Sequence, residues 1–232
     1  MTSRYAAGVT IAENLAAIRA RMDAAAARVG RDGASIRLVG ATASFKGVTN
    51  EMVLAALAAG LHDFGENRIQ EAEQRMRELG AKAREATWHF IGHLQTNKAK
   101  DAAELFDIIQ SVDSVRLAEQ LSARAGKPIG VMLEVNVAGE ASKFGFAPGE
   151  VADAAKTIAR LPNLDLIGLM TVAPAVDNPE EVRPVFRELR ELAQANGLKE
   201  LSMGMTDDFE IAIEEGATMI RIGRAIFGER PS

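Results

Sequence analysis

Apolar side chains at Leu15, Ile18, Met22 and Ala25 recur at helical spacing between residues 12 and 29, opposite Arg19 and Arg21. The chain therefore opens with an amphipathic helix. From Ile36 onward, short apolar runs alternate with amphipathic stretches, and the runs IRLVGA, HDFG, WHFIG, DIIQSV, VMLEVNV, LIGLMTV, ELSMG and MIRIG predict eight strands. Helices are predicted between them, including residues 51–59, 68–84 and 97–105. Strands separated by helices pair in parallel through right-handed crossovers. Eight such units in 232 residues predict an α/β fold, a single closed (β/α)8 TIM-type barrel with an extra N-terminal helix, occupying residues 1–232 as one domain. An open doubly wound sheet is the alternative, but the first strand lacks GxGxxG.

Composition narrows the chemistry. Hydrophobic residues make up 47% and charged residues 25%, which suits a soluble globular chain. With a net charge of −5 and a pI near 5.4, there is no basic field to attract nucleic acid or an acidic membrane surface. Cysteine is absent, which removes disulfides, thiolate metal sites and cysteine nucleophiles. No run approaches about 18 uninterrupted apolar residues, and the first segment lacks the pattern of a secretory leader. A cytoplasmic location is expected.

In a barrel, functional groups belong at the carboxyl ends of the strands and in the loops that follow. That filter retains Lys46, Glu66, Asn67, His89, His93, Asn136, Met170, Thr171, the segment from Ser202 to Thr206, and the segment from Arg221 to Arg224. Two glycine-bearing turns, at Gly204 and Gly223, follow the last two strands, where phosphate sites recur. Glycine admits an anion close to the backbone, and N–H groups at a helix start point towards it. Thr206 offers a hydroxyl to the same anion, with Asp207 or Asp208 expected to cap the helix and Glu210 to complete a capping box. Plain turn geometry is the competing reading of both glycines. Arg221 ends an apolar strand, where a guanidinium needs a partner: a bound ligand or a salt bridge inside the barrel. His89 and His93 are expected to bind no metal, because no third ligand accompanies them. His62, Lys98 and Lys100 read as surface groups.

The motifs FGENRIQE, WHFIGHLQTNK, GLMT, SMGMTDDFEIAIEEGATMIRIG and RAIFG, in this order, resemble the pyridoxal-phosphate-binding homeostasis protein family, almost end to end. The resemblance implies a fold-type III barrel for pyridoxal 5'-phosphate (PLP), similar to the N-terminal domain of alanine racemase without its second domain. It implies that Thr206, Gly223 and Arg224 hold the phosphate with Ser202 nearby, that Arg221 faces the pyridine nitrogen, and that Asn67, His89 and Met170 line the ring. An arginine at that nitrogen keeps it unprotonated and weakens the electron sink needed for carbanion chemistry. The family's imine-forming lysine has two alignments here. Counting from LVGAT places it at Ala43, and counting back from Gly60 places it at Lys46, the preferred reading, with residues 43–45 inserted.

The implied function is a non-catalytic PLP holder in vitamin B6 and amino-acid homeostasis, with PLP-dependent apo-enzymes as candidate recipients. A monomer is expected, with a dimer as the alternative. The competing functions are an amino-acid racemase, which lacks an evident second acid/base group beyond Tyr5, and a Schiff-base aldolase that uses the same phosphate cup.

Overall fold

The computed structural model describes residues 10–42, 47–140 and 142–228. Lys46 and Ala43, the two candidates for the anchoring lysine position, and Tyr5 lie outside the described residues. Helix α1 (Ile11–Arg28) begins with a capping box: Thr10 Oγ1 accepts from the Glu13 N–H, and the Glu13 carboxylate accepts from the Thr10 N–H at 2.8 Å. Such a reciprocal cap contributes about 1 kcal/mol. The predicted stripe is the buried face, with Leu15, Ile18, Met22 and Ala25 all in the core.

After α1 the chain alternates strand and helix without a break in the pattern: β1 (Arg37–Ala41), α2 (Asn50–Ala58), β2 (Asp63–Glu66), α3 (Ile69–Leu79), β3 (Thr87–Phe90), α4 (Ala99–Leu105), β4 (Ile108–Val112), α5 (Val115–Arg124), β5 (Ile129–Glu134), α6 (Val151–Ile158), β6 (Leu164–Met170), α7 (Arg183–Ala195), β7 (Glu200–Ser202), α8 (Phe209–Glu214), β8 (Met219–Ile222) and α9 (Arg224–Phe227). The strands pair in parallel in sequence order, and β1 closes on β8 with Arg37 opposite Met219 and Val39 opposite Arg221. This is the TIM-type barrel expected from the eight apolar runs. The helix expected over residues 68–84 gives way at Gly80, whose φ of 57° no longer suits a helix, and continues as a 3-10 segment. The fifth strand stops at Glu134, and beyond it Val135 makes only an isolated bridge to Phe146.

Two apolar layers result. The larger lies between strands and helices and includes Phe64, Phe90, Phe106, Phe186 and Phe209. Inside the barrel, Met132, Met170 and Met219 form a small separate cluster. Helix α1 fastens the seam where the barrel closes. Asn14 Nδ2 donates to the Ile226 carbonyl at 3.0 Å, Arg21 pairs with Glu210 at 2.7 Å, and Arg19 donates to the carbonyls of Ala59 and Gly60. The extra helix therefore braces α8 and α9, the helices that follow β7 and β8. Among the described residues no helix is long and apolar enough to cross a membrane.

Candidate functional site

At the carboxyl ends of the strands, a cavity of about 480 Å³ is lined by Asn67, Thr206, Arg221, Gly223 and Arg224, together with Ala41, Ile91, Gly92, Val172, Met205 and Asp207. Residues from β1, β2, β3, β6, β7 and β8 or their following loops thus meet at one mouth. Hollows of about 600 and 630 Å³ lie at the amino ends of the strands, so size alone does not choose the site. The chemistry of the lining does.

Gly204 makes the turn after β7 possible. Its φ is 92°, and a Cβ there would stand 2.6 Å from the Ala212 Cβ and 2.9 Å from the Phe209 Cα. The chain therefore turns tightly onto α8 and presents Thr206, whose hydroxyl has no hydrogen-bond partner among the described residues. Opposite it, Gly223 occupies the N-cap position of α9, and the first N–H groups of a helix have no intrahelical acceptor. Gly92 performs a similar service for Asn67, since a Cβ at Gly92 would sit 2.6 Å from the Asn67 carbonyl oxygen.

The caps expected around Thr206 are arranged differently. Asp208 stands at the start of α8, but its carboxylate turns back to accept from the Met205 N–H at 2.6 Å, so it ties the loop and leaves the helix uncapped. Glu210 cannot complete a capping box because it is held by Arg21 of α1. Asp207 pairs with the Arg224 guanidinium across the mouth.

Arg221 is buried, and no carboxylate among the described residues pairs with it. Its Nη1 donates to Ser202 Oγ at 2.6 Å and its Nη2 to the Thr171 carbonyl at 2.8 Å. Burial pulls its pKa down to about 10, against the longer-range pull of Asp208 and Glu134. A guanidinium carries five N–H donors, and these two bonds leave three of them unspent. The alternative of a direct salt bridge inside the barrel is not what the described residues form.

His89 and Met170, which the resemblance places along the ring, and Ser202, which it places near the phosphate, are buried and do not line this cavity. Met170 packs against Met132 and Met219 in the barrel interior. Ser202 spends its hydroxyl proton on Gln110 Oε1 at 2.6 Å and its oxygen on Arg221. His89 is fully buried, with Nδ1 at 2.9 Å from Gln110 Nε2 and Nε2 at 3.0 Å from the Asp63 carboxylate. In the strand register Met170 stands beside Ser202 and Ser202 beside Met219, two residues before Arg221 on β8. Gln110 was missed from sequence. A glutamine amid the apolar residues of DIIQSV was the available signal.

The far rim carries different groups. His93 pairs with Asp113 at 3.1 Å and stacks on Phe144, with ring centroids 3.6 Å apart. Burial and the nearby Asp113 carboxylate push the Glu134 carboxyl up to about 7, while Arg221 opposes the shift. Asn136, retained as a candidate, instead staples its own loop, donating to the Glu140 carbonyl and accepting from the Glu140 N–H.

Comparison with known proteins places the chain in a family. The family model described as the alanine racemase N-terminal domain matches residues 14–231. The pyridoxal phosphate homeostasis protein of Pseudomonas aeruginosa is 46% identical over 226 residues, covering 95% of this chain and 96% of its own. The protein of the same name from Aquifex aeolicus is 42% identical over 227 residues, covering 94% and 97%. The chain belongs to the pyridoxal phosphate homeostasis protein family. Among solved structures, PipY of Synechococcus elongatus with PLP bound superposes with a TM-score of 0.80 at 35% identity, over 94% of this chain and 100% of that one. Alanine racemase from Corynebacterium glutamicum, at 18% identity and a TM-score of 0.66 over 62% of its length, shares the fold. Family membership covers the barrel from α1 to α9, the span that holds the mouth cavity.

Proposed function

We propose that this protein binds PLP at the barrel mouth and holds it, without transforming amino acids, as part of intracellular vitamin B6 and amino-acid homeostasis. The observation that carries the reading is Arg221, a buried guanidinium with unspent donors opening into a cavity whose opposite wall offers Thr206 and the turn at Gly223 and Arg224. That donor set fits the group. A phosphate dianion seeks hydroxyl and backbone N–H donors, and a pyridine nitrogen is an acceptor that a guanidinium can meet. The names of the relatives and the PLP-bound state of PipY support the same ligand.

In this reading Thr206, Gly223 and Arg224 hold the phosphate, Asn67 faces one edge of the ring, and Arg221 addresses the ring nitrogen. Met170 and Ser202 support that arrangement from the layer below, as does His89. Lys46 is the proposed covalent anchor. PLP supplies an electron sink to an amine joined to its aldehyde carbon, and a guanidinium at the ring nitrogen weakens that sink. This favours storage over racemisation. The chain acts as one PLP-binding barrel domain in the cytoplasm, as a monomer, with PLP-dependent apo-enzymes as recipients.

Titrating PLP into the protein tests the reading. Saturable uptake with a change in the cofactor's absorption is expected, altered by Lys46→Ala and shifted to higher PLP concentration by Thr206→Val. Absence of saturable uptake contradicts it.

A further inference from the structure

A line of hydrogen bonds runs through the barrel interior from the amino ends of the strands to the mouth, and with a neutral His89 ring its bonds share one consistent direction. At the lower end, the Asp63 carboxylate can only accept, so Nε2 of His89 carries a proton, and in the neutral ring Nδ1 is then an acceptor. The Gln110 amide must then turn its NH2 towards His89 and its oxygen towards Ser202. The Ser202 hydroxyl donates to that oxygen, which leaves its lone pairs free to receive Arg221. Reversing the amide would set its NH2 against Ser202 and leave the serine proton without an acceptor. Each link is buried except Asp63, so water cannot substitute for a lost partner.

We propose that His89 is a positioning residue for Arg221, setting the orientation in which the guanidinium meets a ligand at the mouth. A residue on β3 and a carboxylate on β2 thus determine how a side chain on β8 is aimed. The second anchor of Arg221, the Thr171 carbonyl, fixes one nitrogen of the guanidinium; the chain from His89 fixes the other, and two points define the plane of the fork. The role of this orientation at the ring nitrogen rests on the PLP reading given above; the orientation itself belongs to the ligand-free protein.

The test follows the Arg221 guanidinium N–H signals by NMR in the ligand-free protein, assigned by their loss in Arg221→Leu. In His89→Leu, solvent exchange of these protons is expected to rise about tenfold or more, the scale of losing a hydrogen bond to a charged group. His89→Asn, which keeps an acceptor near the Nδ1 position, is expected to stay within a few-fold of wild type. Asp63→Ala, at the partly exposed lower end, provides a second route to the same loss if His89→Leu does not fold. Unchanged Arg221 exchange in a folded His89→Leu or Asp63→Ala protein overturns the proposal. With PLP carrying 15N in its ring, His89→Leu should move the ring-nitrogen signal in the same direction as Arg221→Leu, and His89→Asn should not. If wild type binds PLP but Arg221→Leu leaves that signal in place, the ring-nitrogen reading fails, while the exchange data in the ligand-free protein still decide whether His89 positions Arg221.

Discussion

The Arg221 guanidinium donates to Ser202 Oγ at 2.6 Å, and this contact joins the last two strands of the barrel directly beneath the mouth cavity. It explains how a cation can sit in a buried place with no carboxylate partner among the described residues. The serine and the Thr171 carbonyl together satisfy part of the fork.

Replacing Arg221 by Met should therefore separate binding from folding. Removing a desolvated charge relieves a burial cost but orphans the Ser202 and Thr171 acceptors, so the change in stability should stay within about 2 kcal/mol. PLP affinity should fall on the order of tenfold to a hundredfold. Urea denaturation and a PLP titration on the same variant check both halves.

Thr206→Val retains the shape of the side chain and removes its hydroxyl. Loss of one charge-assisted hydrogen bond should weaken PLP on the order of tenfold. Pyridoxal, which lacks the phosphate, should bind the variant and wild type alike, and competition between the two ligands measures the difference.

How much of this was legible in the chain can be judged from particular residues. The strands were visible because each is a short apolar run flanked by turns, and their number and order fixed the barrel. The turns at Gly204 and Gly223 were legible because turn chemistry is local. The layer below was harder. Whether His89 faces a ligand or lies under it depends on how far its strand is staggered against its neighbours, a property of closure that no single segment encodes. The same limit hid the fate of Asp208 and Glu210: a capping pattern can be read locally, but Arg21 comes from a helix nearly the whole chain away and takes Glu210 for itself.

Gly204→Ala tests the turn that delivers Thr206. A Cβ cannot fit between Ala212 and Phe209, and a φ of 92° disfavours any side chain, so the variant should lose about 1–3 kcal/mol of stability. PLP affinity should fall with it, because the cup moves. Thermal melting with and without PLP separates the two effects.

Glu134 gives the protein a pH signature. Its carboxyl binds a proton more tightly in the folded chain, with a pKa of about 7, than in the unfolded one, near 4.5. The folded state therefore holds more protons between those values, and stability contributed by this group falls as pH rises from about 4.5 to 7. Glu134→Gln should abolish that slope and be more stable than wild type at pH 8 by about 1–3 kcal/mol. Urea midpoints of the two proteins across this range provide the comparison.

The central claim is that one mouth gathers the phosphate cup and Arg221 around a single PLP molecule. A crystal structure of the protein grown with PLP tests it most directly. The account predicts the phosphate against Thr206, Gly223 and Arg224, with the ring nitrogen within hydrogen-bonding distance of the Arg221 guanidinium. PLP seated elsewhere, or bound at the mouth with its ring nitrogen turned away from Arg221, contradicts it.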